Sequence, residues 1–197
     1  MSDVQTTVTS STGATRVVEG REIPHAGTWA VDASHTTVGF VARHLGVAKT
    51  RGRFSEVSGA AVIGERPENS SVEVTIATAS VDSRDEKRDE HLRSADFFDV
   101  AQFPAITFRS TGIRADGDGW KLDGDLTIKG VTRPVVLDVE FDGASPDPWG
   151  GVRAGFTATT QVDREDWGLT WNVALETGGL LVGKKVKLEL EVELVKQ

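Results

Sequence analysis

The feature that most constrains this chain is a period-two alternation sustained along its C-terminal end. Val186, Leu188, Leu190, Val192 and Leu194 occupy one parity, while Lys185, Lys187, Glu189, Glu191 and Glu193 occupy the other. Successive side chains of a strand point to opposite faces, so such a segment has one dry and one wet face. The same pattern runs through Trp120, Leu122, Gly124, Leu126 and Ile128, and through Val38, Phe40, Ala42 and His44. It recurs in Val72–Thr78, Ile106–Ser110, Val135–Phe141 and Val152–Val162, and with a strand near 54–63 it predicts about eight antiparallel strands.

Long amphipathic strands need partners along both edges, and closing the sheet on itself removes the edges. A closed barrel of about eight strands either fills with side chains or holds one small ligand. The inward parity mixes large apolar residues with Ala42, Ser110, Gly124, Ala154 and Ala158. Small residues there leave room for a ligand, or else relieve crowding where strands bend. The alternation is interrupted between Val81 and Pro104 by RDEHLRSADFFDV, which predicts a short helix over about Arg84–Arg93 capped by Asp82 or Ser83. Asp89 and Arg93 are spaced for a weak i,i+4 pair.

Composition narrows the chemistry. The 197 residues contain no cysteine, which removes disulfides, thiolate metal sites and cysteine nucleophiles. Thirty acidic against 22 basic residues give a net charge of -8 without a basic stripe, which argues against a nucleic-acid partner. Residues 1–26 are rich in Ser and Thr and carry no aromatic residue, so they read as a disordered tail ahead of a domain over 27–197. Neither a basic start nor an apolar stretch marks an export signal, and the expected location is the cytoplasm.

Few residues suggest reaction chemistry. His35 and His44 are nine positions apart, which puts them on opposite faces of an unbroken strand, and no ligand spacing links them to His91, so no metal site is expected. Asp32, Ser34 and His35 are triad residue types, but no nucleophile elbow accompanies them. Gly178, Gly183 and Lys184 imitate a phosphate loop, yet Lys185 stands where Ser or Thr is needed and a strand follows instead of a helix. Arg164 is the most interesting cation. A loop after an amphipathic strand places it at the barrel mouth beside Trp167 and Trp171, where its planar donors suit a phosphate; the competing reading is an ion pair with Asp163, Glu165 or Asp166.

Read in order, WAVDASHTTVGFVARH, GRFSEVSG, SVDSRDEKRDEHLRSADFFDVAQFPAITF, LDGDLTIKGVTRPVVL, DREDWGL and GLLVGKKVKLELEVEL resemble the YceI-like family of polyisoprenoid-binding, lipocalin-like barrels. The resemblance implies an all-β fold, an extended eight-stranded antiparallel barrel with a short helical insertion. It also implies an apolar tunnel for an isoprenoid or other long-chain lipid, including an isoprenoid quinone or a polyprenyl phosphate. The expected activity is non-enzymatic binding, storage or transport, with no required cofactor. A lipid-modifying or quinone-linked redox enzyme and a packed interaction module are the alternatives. Homodimerisation and transient membrane contact are further expectations. The wall positions combined from parity and resemblance are Phe40, Ala42, His44, Ile76, Phe108, Ser110, Gly124, Leu126, Ala154, Phe156, Ala158, Arg164, Trp167 and Trp171.

Overall fold

The computed structural model describes residues 9–11, 13–176 and 178–197. Its strands are β1 (Thr9–Ser11), β2 (Thr15–Val18), β3 (Arg21–Pro24), β4 (Gly27–Val31), β5 (Thr37–His44), β6 (Ala48–Phe54) and β7 (Val57–Ile63). These are followed by β8 (Ser71–Ala77), β9 (Val81–Asp82), helix α1 (Glu86–Arg93), β10 (Ala105–Asp116), β11 (Gly119–Ile128), β12 (Val131–Pro146), β13 (Val152–Asp163) and β14 (Val182–Lys196). Strands β4, β7, β8, β10, β11, β12, β13 and β14 form a ring that closes where β13 pairs with β14, so the eight-stranded antiparallel barrel with one helix is the fold.

The alternating C-terminal segment becomes β14, long enough to pair with two strands in succession along one edge. The first half of β14 pairs with β5, Leu188 opposite Phe40, and its last residues pair with β4, Leu194 opposite Val31. The segment 27–44 is therefore one strand broken at Asp32–Thr36, which sets His35 in a turn and not on a strand face. Turn chemistry fixes the hairpins. Lys129 and Gly130 join β11 to β12 with φ of 50° and 73°, the double positive φ of a two-residue hairpin turn.

Two poles result. The helix pole gathers the ends of β5, β11 and β13 and the starts of β10, β12 and β14. There α1 begins two residues later than the sequence predicts. Arg84 has φ 63°, and the cap is Asp85, whose carboxylate accepts the Arg88 amide. Asp89 does not pair with Arg93. Its carboxylate accepts the amide and hydroxyl of Ser83, while Arg93 donates to the carbonyls of Ala79 and Val81 at 2.9 and 2.8 Å. These bonds pin the helix against β9.

The hairpin pole corrects the expected tail. β2 and β3 form an antiparallel hairpin through Glu19 and Gly20, and Ala14, Val18 and Ile23 are buried. Arg16, 4% exposed, donates to the carbonyls of Gly64, Glu65 and Pro24. The guanidinium of Arg21 lies 5.2 Å from the ring centre of Trp120. The segment has too little apolar surface to fold alone, but it buries that surface on a barrel end already formed. Residues 1–8 and 12 lie outside the described residues.

Candidate functional site

The inward parity of the ring encloses an elongated apolar cavity of about 330 Å³, within the usual range of small-molecule pockets, roughly 300–1,000 Å³. Its wall runs from Ile23, Pro24 and Trp120 at the hairpin pole to Phe98, Leu169 and Val182 at the helix pole. Among the described residues, Thr36, Ser70 and Arg164 are its polar side chains apart from two indoles, and it presents no carboxylate, histidine or lysine. Such a wall offers no acid or base for proton transfer. It offers dispersion contact along a chain and removal of that chain from water.

Nine of the expected positions stand in this wall: Phe40, Ala42, Ile76, Phe108, Leu126, Phe156, Ala158, Arg164 and Trp167. Trp167 is 3% exposed and donates its indole N–H to the Leu126 carbonyl at 3.0 Å, which orients its ring at the helix pole.

Five positions stand elsewhere, each for a local reason. A Cβ on Gly124 would lie 2.3 Å from the ring of Phe108, so the space vacated by glycine is already taken by its cross-strand neighbour's ring. Gly52 accommodates Phe40 in the same way, at 2.2 Å. Ala154 packs in a separate cluster with Trp29, Ala61 and Leu194, where it admits the fully buried indole of Trp29. Ser110 sits at a β-bulge and accepts the Val72 amide on its hydroxyl at 2.8 Å, a structural task. His44 ends β5 opposite Ala48 and Val182, at the point where the inward row has run off the barrel. Trp171 lies against α1, 4.5 Å ring to ring from His91 and 5.4 Å from Phe97.

The sequence reading missed wall residues supplied by segments without period two. Leu92, Phe97 and Phe98 come from the helix and the loop after it, and Ile23 and Pro24 from the hairpin. The FFDV string was the available signal, because adjacent aromatics beside a charged helix have to be covered by something apolar.

Arg164 opens the short 3₁₀ segment Arg164–Trp167 and is 5% exposed. It does not make the ion pair of the competing reading: Asp163 faces Lys185 at 3.4 Å and Glu165 faces Lys184 at 2.7 Å. Its Nε and Nη1 donate to the carbonyls of Gly183 and Leu169, and Nη2 is buried without a hydrogen-bond partner among the described residues. Burial holds its pKa below the usual arginine range. Lys184 is thus committed to Glu165, which leaves nothing of the imitation phosphate loop.

Asp32, His35 and Glu193 bring metal-type donors within 4.8 Å of one another. The positive charge in that cluster is Arg153, which ion-pairs with Asp32 and Glu193 and lies 3.3 Å from Asp147. Hydrogen bonds from Ser34, then His35 and Arg153, hold the Asp32 carboxyl well below the ordinary carboxylate range. A guanidinium in contact with two of the three donors makes this an ion-pair knot joining the β4–β5 turn to β13 and β14.

Comparison with known proteins places this geometry in a family. The YceI-like domain matches residues 29–194. The chain belongs to the YceI-like family. It is 40% identical to Protein YceI of Escherichia coli O17:K52:H18 over 167 residues, 84% of each chain. The protein of Salmonella arizonae is 39% identical over the same length, again 84% of each chain. Among solved structures, the YceI protein of Campylobacter jejuni superposes with a TM-score of 0.66 at 29% identity, covering 79% of this chain and 90% of that one. BcnA of Burkholderia cenocepacia gives 0.70 at 23% identity, with 83% and 98% covered. A polyisoprenoid-binding domain from Saccharophagus degradans gives 0.61 at 15% identity, with 88% and 100% covered, a likeness of fold. The family strings acquire a physical meaning here: HLRSADFFDV and LTIKGVT build the helix pole, where Lys129 donates to Ala95 and Phe103 packs against Gly130.

Proposed function

We propose that this protein binds a polyisoprenoid or similar long-chain amphiphile inside its barrel and stores or carries it without converting it. The observation that carries the reading is the continuous apolar wall from one pole to the other, in which the polar side chains are confined to Thr36, Ser70, Arg164 and the two indoles among the described residues. Burying one CH₂ is worth roughly 0.8 kcal/mol, so an extended chain supplies most of the gross binding energy. The polyisoprenoid-binding name of the Saccharophagus degradans domain and membership of the YceI-like family support the same class of ligand. No cofactor beside the lipid is needed for such a role.

Solvent extraction of the purified protein followed by mass spectrometry tests this. The expected result is about one polyprenyl or comparable long-chain compound per chain, unchanged in structure after incubation with the protein. Recovery of no lipid, together with no uptake of added polyprenols, would favour a packed interaction module. Conversion of the lipid would make the protein an enzyme.

A further inference from the structure

We propose that Arg164 anchors the polar end of the ligand, and that this end is an anionic oxygen, a carboxylate or a phosphate. The inference rests on the binding of a long apolar chain and adds the chemistry of its head and the direction in which it lies. Arg164 is the only charged side chain in the cavity wall among the described residues. Its guanidinium is held in place by two neutral acceptors, the carbonyls of Gly183 and Leu169, and its remaining Nη2 has no acceptor among the described residues. The flanking acids are committed to other cations, Asp163 to Lys185 and Glu165 to Lys184, so neither lies in hydrogen-bond contact with the guanidinium. A buried cation without a contacting anion is costly, and an unsatisfied buried donor adds to that cost. A bound oxygen anion satisfies both conditions at once, since a charge-assisted bond to arginine is stronger than one to a neutral carbonyl or hydroxyl.

The position of Arg164 sets the orientation. It follows β13 at the helix pole, beside Trp167 and Leu169 in the wall. A head held there sends its chain past Val162 and Leu126 toward Ile113 and Trp120, under the N-terminal hairpin.

The test compares geranylgeranoic acid with geranylgeraniol, which share one carbon skeleton, on delipidated full-length protein at pH 8. The native protein is expected to bind the acid at least tenfold more tightly than the alcohol. R164M brings the acid-to-alcohol ratio close to one, and R164K, which keeps the charge but loses the planar fork, gives an intermediate ratio. Inorganic phosphate and acetate, which present the oxygen without the chain, are expected not to compete at millimolar concentration. Equal affinities for acid and alcohol in the native protein, or a preference that survives R164M, would overturn the assignment while leaving the apolar-chain reading standing. Binding of neither compound would overturn that reading instead. Competition by free phosphate as effective as by the acid would make this a simple anion site and also overturn the proposal. If R164M does not fold, the native ratio and R164K decide.

Discussion

The two ends of the barrel are closed by different physics. At the helix pole, α1 and its following loop put Leu92, Phe97 and Phe98 into the cavity wall and are fixed by the Asp89 carboxylate, which accepts from Ser83, and by Arg93, which donates to the Ala79 and Val81 carbonyls. That closure lies within the residues shared with the YceI-like family. At the hairpin pole, β2 and β3 lie outside the matched residues 29–194 and contribute Ile23 and Pro24 to the same wall, with Arg16 donating to backbone carbonyls of the barrel end. One closure is continuous with the core, and the other is an addition to a barrel whose ladder is complete without it. A closure of the second kind opens locally at less cost than global unfolding.

The sharpest test of this contrast is Trp167→Ala. The side chain is 3% exposed and belongs to the main core cluster, so its removal should cost about 3–5 kcal/mol in denaturant unfolding. A loss below about 1 kcal/mol would mean that the helix pole is no more integral than the hairpin.

Asp32→Ala examines the ion-pair knot that ties the β4–β5 turn to β13 and β14. Loss of charge-assisted bonds in this partly shielded cluster should cost about 2 kcal/mol at neutral pH. The folded carboxyl titrates below its unfolded value, so its stabilisation is present above about pH 4 and is lost as pH falls through the folded pKa. The difference between native and variant protein should therefore shrink on acidification below about pH 4, measured as paired melting curves. A difference that grows with acid would contradict the assignment.

Arg16→Ala should have the smallest global effect, about 1–2 kcal/mol, because the barrel ladder does not pass through the hairpin. Hydrogen exchange should nevertheless show amides of residues 15–23 losing their protection while β13 and β14 keep theirs. Equal loss in both regions would make the hairpin part of the cooperative core.

What the sequence revealed follows the same division. The barrel was legible because burial of one face imposes period two on every long strand, and wall positions such as Phe40, Ile76, Leu126 and Ala158 lie on the inward parity of their strands. Parity failed where a second fact was needed. Gly124 points no space inward because Phe108 occupies it, and only the register Phe108–Leu126 with Ser110–Gly124 reveals that neighbour. Ala154 is small for Trp29, which is distant in sequence. The hairpin escaped because Glu-Gly is a weaker turn signal than Asn-Gly or Asp-Gly, and because its burial depends on a surface made by other strands. Arg164 was visible as a cation near the barrel end, but its lack of an acidic partner depends on where Lys184 and Lys185 reach.

The central claim, that the barrel interior holds an extended apolar chain, is tested most directly by titrating delipidated protein with prenyl alcohols of increasing length, alongside Ala158→Trp. Ala158 lines the cavity, and an indole there would obstruct it. With roughly 0.8 kcal/mol gained per buried CH₂, affinity should rise steeply with chain length until the cavity is full, and the Trp variant should lose at least tenfold in affinity for the longer chains while remaining folded. Affinity independent of length, and untouched by Ala158→Trp, would show that the lipid binds outside the barrel.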